Sequence, residues 1–151
     1  MYTKAVFPGK YIQGRGVLNE LPALVSLLGT RGMILASRTV IKDVLPNRVP
    51  SIGQTLSIEL FNGECCEEEL SRLSRLINRE KFDVLIGMGG GKVIDTAKIA
   101  ADRAGISVIV VPTIAATDAP CSGCAVIYSP EGIFEAVDYQ KLNPAVVLVD
   151  L

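Results

Sequence analysis

The sequence predicts an α/β fold: a parallel sheet with helices on both of its faces, plus one β-hairpin. Two observations carry this. Short apolar runs alternate with helix-period segments through the first 111 residues, punctuated by glycine and proline. The composition is 49% hydrophobic but only 5% aromatic, the Val/Ile/Leu/Ala-rich profile of strands buried on both sides. A length of 151 residues suits a single domain with a real core, so one domain over 1–151 is expected.

Taken in order, residues Phe7–Gly16 read as a turn, a short strand around Tyr11–Gln13 and a second turn. Val17, Leu18, Leu21, Leu24, Val25 and Leu28 recur at helical spacing before Gly29, and Pro22 within them suggests a helix that starts near it. Gly32–Ala36 is a buried strand with Ser37 and Arg38 at its carboxyl end. Thr39–Leu45 reads as a short helix broken at Pro46. Gln54–Phe61 alternates apolar and polar and ends at Asn62-Gly63, which predicts a strand and a turn. Glu64–Arg79 is an amphipathic helix, with Leu70, Leu73, Leu76 and Ile77 inward and an acidic-to-basic charge order matching the helix dipole. After the next strand, a helix over Gly91–Ala104 is closed by Gly105. Ile106–Val111 is a buried strand, and Pro112–Ser122 a long loop with little helical pattern. Gly123–Tyr128 and Ile133–Tyr139 flank Ser129-Pro130-Glu131-Gly132, a hairpin signal, and Ala145–Val149 is the final strand.

The stretch Asp83–Lys98 organises the rest. An apolar run enters four glycines in five positions (Gly87, Gly89, Gly90, Gly91), and a helix pattern follows at once. Such a junction offers unpaired N–H groups and a positive dipole end to an anion. Two familiar phosphate motifs fail here. GxGxxG counted from Gly87 meets Lys92 at its last position, and counted from Gly89 it meets Ile94; GxxxxGK[ST] would need glycine at Ile86 and a hydroxyl at Val93. The loop reads as a phosphate cradle of a third kind. The alternative is a tight turn that lets a helix pack close to a strand.

Composition removes other chemistries. Net charge is −1, from 15 basic and 16 acidic residues well mixed, which argues against nucleic-acid or membrane partners. The longest apolar run, Ile106–Ala116, is interrupted and too short to span a bilayer, and the first residues lack a secretory apolar segment, so a soluble, cytoplasmic chain is expected. Cys65-Cys66 and Cys121-x-x-Cys124 read as reduced structural thiols: adjacent cysteines suit neither a mutual disulfide nor a metal cage, and a strand pattern follows Cys124. There is no histidine, which excludes a Ser/His or Cys/His nucleophile and a His-ligated metal within this chain.

The loop Val111–Ser122 is the second candidate region. Pro112 and Pro120 limit its freedom, an ionised Asp118 accepts from sugar or polyol hydroxyls, and Thr113, Thr117 and Ser122 both donate and accept. The plainer alternative is a turn at Asp118-Ala-Pro whose threonines cap backbone groups.

Five blocks, Pro8–Gly14, Gly89–Lys98, Pro112–Ser122, Val126–Tyr128 and Asn143–Asp150, resemble in order the glycerol dehydrogenase branch of the iron-dependent (group III) alcohol dehydrogenase family. The resemblance implies a Rossmann-like, dehydroquinate synthase-like N-terminal domain and a C-terminal helical domain holding zinc through an aspartate and two histidines. It also implies NAD-linked oxidation of glycerol to dihydroxyacetone. Carried over by position, Gly89, Gly90, Gly91, Lys92, Val93, Ile94 and Asp95 would hold the cofactor pyrophosphate. Thr113, Ile114 and Ala116 would touch the adenosine and its linkage; Ser122, Cys124 and Tyr128 would lie by the nicotinamide. Asp118 would meet a substrate hydroxyl.

Ser37, followed by Arg38, stands where the family commonly places a ribose-gripping aspartate, which leaves NADP open beside NAD. The sequence ends before the family's zinc ligands, so no metal or catalytic residue is expected within it. The chain then reads as the cofactor half, truncated or separately encoded, inactive alone, with a separate metal-binding chain and homo-oligomerisation as expected partners. Two rivals stand beside this: a non-catalytic nucleotide-binding module, and a relative acting on phosphorylated or acidic substrates. The second would want basic residues near Asp118, and none lies between Pro112 and Tyr128.

Overall fold

Six parallel strands form the sheet of the computed structural model, which describes the backbone of residues 1–151 and the side chains of all but residues 53 and 54. They are β1 (Lys10–Gly14), β2 (Gly32–Ala36), β3 (Ser57–Leu60), β4 (Val84–Gly89), β5 (Ser107–Pro112) and the last strand, β8 (Val146–Asp150), in the spatial order β1-β8-β5-β4-β2-β3. Strands β6 (Cys124–Tyr128) and β7 (Phe134–Tyr139) pair antiparallel as a separate hairpin. The helices are α1 (Leu21–Leu28), the four-residue α2 (Leu45–Arg48) and α3 (Ile52–Thr55), α4 (Glu67–Glu80) and α5 (Gly91–Ala104). This is the Rossmann-like α/β architecture that the alternation predicts.

The central strands are apolar on both sides because both sides are covered. On one face Met33, Leu35, Leu85 and Val110 meet Leu70, Leu73 and Ile77 of α4 and Val93, Ile94 and Ala97 of α5. On the other, Ile34, Val84, Ile86 and Ile109 meet Leu21, Leu24 and Val25 of α1 and Val40 and Leu45 beyond β2. The period-two alternation of side chains sorts each strand's residues between these two cores.

Two sequence expectations need correction. Pro46 does not break its helix: a π-helical turn, Val40–Val44, runs directly into α2, whose first turn carries Pro46, a position that proline tolerates. Nor is Gln54–Phe61 one strand. Ile52–Thr55 closes a helical turn with the Leu56 amide donating to the Ile52 carbonyl, and β3 starts only at Ser57. The buried Ile52 and Leu56 anchor that turn to the core, so tertiary packing overrides the local alternation.

Candidate functional site

The order β3-β2-β4-β5 reverses direction between β2 and β4, and in open α/β sheets ligands bind outside the carboxyl ends at such a switch point. β2 leads into the Val40 turn on one face, and β4 leads into α5 on the other. Between them opens a cleft of about 480 Å³ bordered by Ser37, Arg38, Thr39, Asn62, Gly63 and Val93. A hollow of about 490 Å³ lies at the opposite end of the sheet, around Phe7, Ile106 and Asn143–Ala145. Lys98, Asp102, Gln140, Lys141 and Asn143 border it, but none of the site residues expected from the sequence does, and it lies away from the glycine turn, so the switch-point cleft is the candidate.

The glycines at the end of β4 divide into two kinds. A Cβ on Gly87 would lie 2.6 Å from the Ala97 Cβ, so this glycine lets α5 press onto β4. Gly89 has φ 159° and faces the Val93 side chain at 3.0 Å, so it too is required by the fold. Gly90 and Gly91 are different: an added Cβ would meet Ile114 and Thr117 only at 3.5 and 3.6 Å, ordinary contact, and Gly90 is extended at φ −86°, ψ −173°. The close-packing explanation therefore accounts for half of the glycine run and leaves Gly90 and Gly91 unexplained by the protein's own packing.

No side chain caps α5. The Ile94 amide is spent on the Gly90 carbonyl at 3.1 Å, and helix geometry returns the Asp95 amide to Gly91. The amides of Gly91, Lys92 and Val93 precede the first intrahelical bond and face outward at the positive end of the dipole. The following loop closes over them: the Thr113 amide donates to the Gly89 carbonyl at 3.0 Å, and Ile114 and Thr117 border Gly90 and Gly91.

Charged side chains around the cradle are mostly committed to the protein. Lys92 Nζ is 2.6 Å from Glu64 Oε2 and lies over the Tyr128 ring, which joins the cradle to the hairpin. Asp95 turns toward β6, where its Oδ2 accepts from the Val126 amide at 3.1 Å. Burial raises its pKa, against the opposing pull of that amide and of Lys98, 3.8 Å away. Asp118, by contrast, is exposed in front of the cradle and caps nothing. Thr113, Ile114, Ala116 and Thr117 are exposed beside it.

Lys98 is the residue that sequence reasoning missed. It is 1% exposed, yet all three donors of its ammonium are used: the Ala119 carbonyl at 2.8 Å, Ser122 Oγ at 3.1 Å and the Cys124 carbonyl at 2.6 Å. Burial lowers its pKa, while Asp95 pulls the other way. It pins the Asp118-bearing loop and the start of β6 to the cradle helix, two turns from the bare amides. A signal existed, since Lys98 sits four residues after Ile94 and three before Ala101, inside the apolar stripe of α5.

The structure thus gathers Gly89–Asp95, Thr113, Ile114, Ala116, Asp118, Ser122, Cys124 and Tyr128 at one end of the sheet, and Ser37 borders the adjoining cleft that it shares with Val93. Residues 8–151 match the iron-containing alcohol dehydrogenase family. The chain belongs to that family. It is 44% identical to a glycerol dehydrogenase of Thermotoga maritima, over 99% of this chain and 42% of that protein. It is also 36% identical to a glycolaldehyde reductase of Halobacterium salinarum, over 95% of this chain and 40% of the relative. The crystal structure of a probable glycerol dehydrogenase from Sinorhizobium meliloti 1021 superposes with a TM-score of 0.90 at 40% identity, covering 99% of this chain and 41% of that one. The chain spans about two fifths of the length of the curated relatives it matches.

The metal implied by an iron-containing family does not fit this chain. Among the described residues no group of three His, Cys, Asp or Glu could hold an ion, and there is no histidine. All four cysteines are free; Cys65 and Cys66 are buried, and burial pushes the Cys65 thiol up to about 11, far from a ligating thiolate. No helix among the described residues is long and apolar enough to cross a membrane.

Proposed function

We propose that this chain is the dinucleotide-binding part of a glycerol dehydrogenase-like oxidoreductase, and that the whole protein interconverts a small polyol and its carbonyl product. The observation that carries the reading is the pair Gly90 and Gly91, glycines that the fold does not need, beside three uncapped amides at a helix start. A diphosphate accepts from those amides and gains from the dipole, and the missing side chains let it reach the backbone. Bound there, a nicotinamide dinucleotide supplies hydride transfer.

The remaining parts belong to this chain. Gly91, Lys92 and Val93 hold the diphosphate through their amides. The cleft beyond Val93, with Ser37 at its edge, receives the adenosine end. The loop carrying Thr113, Ile114 and Ala116 covers the linkage, and Ser122, Cys124 and Tyr128 border the nicotinamide end. Lys98, through its bonds to that loop, fixes where this end sits. Asp118, exposed and without an ion-pair partner among the described residues, accepts a hydrogen bond from a polyol hydroxyl.

The metal chemistry expected of the family belongs to a helical segment, in this polypeptide or another. The exposed apolar side chains of β7, Phe134 at 60% and Tyr139 at 78%, support a covering partner, either that segment or a second copy in a cytoplasmic homo-oligomer. The reading is tested by titrating the chain with NADH and NADPH by calorimetry, since the absence of tryptophan removes protein-to-cofactor fluorescence transfer. Saturable one-to-one binding of either is expected. No binding of either at millimolar concentration would contradict it.

A further inference from the structure

Resting on the dinucleotide reading, we propose that the cleft at the end of β2 selects a cofactor carrying a 2′-phosphate, so that the chain prefers NADP(H) to NAD(H). Three observations point the same way. The cleft adjoins the cradle through Val93, the last residue with a bare amide, so an adenosine extending from the diphosphate enters it. Its first wall is Ser37-Arg38-Thr39, two hydroxyls around a guanidinium, where a ribose-gripping carboxylate would favour the unphosphorylated cofactor. Ser37 Oγ accepts from the Val40 amide at 3.4 Å, which leaves its proton free to donate.

Charge around the cleft completes the case. Arg38 is exposed and has no ion-pair partner among the described residues. Of the carboxylates on β3 and α4 and before α4, Glu59 and Glu69 pair with Arg72 and Glu64 with Lys92, and Asp43, on the turn after Thr39, does not line the cleft. No acidic residue lines the cleft, so nothing within it opposes a dianionic phosphate. A guanidinium offers that phosphate paired, charge-assisted donors, and the two flanking hydroxyls add neutral ones.

The test compares NADPH with NADH, and adenosine 2′,5′-bisphosphate with 5′-AMP, on the whole chain by calorimetry at low and moderate salt. NADPH should bind tighter by on the order of tenfold, one charge-assisted contact converted to affinity, with the margin shrinking as salt rises. The bisphosphate should show the same preference. Arg38→Asp, at an exposed position, should reverse the ratio, and Arg38→Gln should bring it near one. NADH binding equally or more tightly would overturn the inference while leaving the dinucleotide reading intact, as would an unchanged ratio in Arg38→Asp. Failure of all four ligands to bind would end both.

Discussion

Replacing Gly90 or Gly91 by alanine separates the cradle from the scaffold, because the same change at Gly87 should do the opposite. At Gly87 the new methyl would sit 2.6 Å from the Ala97 Cβ, about 1 Å inside ordinary carbon–carbon contact, and the two positions lie on packed elements, β4 and α5. Overpacking of that kind costs about 1–3 kcal/mol. At Gly90 and Gly91 the nearest atoms are 3.5 and 3.6 Å away and the backbone suits any residue. Alanine there should be neutral or should stabilise by about 0.5–1 kcal/mol through the unfolded chain and helix propensity. The methyl would nevertheless stand in front of the bare amides. Losing even one charge-assisted bond to a diphosphate, about 1.5–3 kcal/mol, weakens binding roughly ten- to a hundredfold. Urea denaturation and calorimetric titration of the three variants read both quantities. If Gly90→Ala and Gly91→Ala bound dinucleotide as the parent does, the argument that these glycines exist for a ligand would be refuted.

Other outcomes follow from the same contacts. Lys98→Met keeps the shape of the stem but removes the charged donor from the Ala119 and Cys124 carbonyls, leaving them the longer bonds from Ser122, so it should cost about 1–3 kcal/mol in urea denaturation, and limited proteolysis should become faster within 113–124. Arg72 holds Glu69, 2% exposed, together with Glu59 and the Leu60 carbonyl; Arg72→Ala leaves that buried carboxylate only the Asn62 amide as donor and should lower stability by about 3 kcal/mol. The amides of Arg31 and Thr30 hold the Asp83 carboxyl below its usual range. A depressed carboxylate contributes stability above its unfolded pKa of about 3.9 and loses it as pH falls through the folded value. Chemical denaturation between pH 5 and 2 should therefore show a shallower decline in Asp83→Asn than in the parent. With Cys65 pushed up to about 11 and Cys66 also buried, a thiol reagent at neutral pH should label only the half-buried Cys121 and Cys124 before denaturation, as read by mass spectrometry.

Much of this was legible in the sequence because it rests on strong local signals. Gly32–Ala36 and Gly91–Ala104 match β2 and α5 residue for residue, since an apolar run between turn residues and a helix closed by a glycine at φ 68° leave little choice. The hairpin followed from Ser129–Gly132 for the same reason. What was hidden depends on distant partners. The alternation of Gln54–Phe61 cannot show that Ile52 and Leu56 are held by the core, and Pro46 looks like an end in the sequence although it opens a new turn. The triple glycine looks like one feature in the sequence, although Gly89 serves the fold and the other two do not. A buried lysine looks like a surface lysine until the loop that satisfies it is in place, which is why Lys98 escaped notice. Strand order, and with it the switch point that joins Ser37 to Val93, is a property of the assembled sheet alone.

The proposed function requires the outward amides of Gly91, Lys92 and Val93 to receive a dinucleotide's diphosphate. Amide chemical-shift mapping by NMR during titration with ADP-ribose tests it most directly. The largest saturable shifts should fall on those three amides, with smaller ones at Thr113 and Ile114. Shifts centred on the hollow around Phe7 and Asn143, or no saturable shift at all, would contradict it.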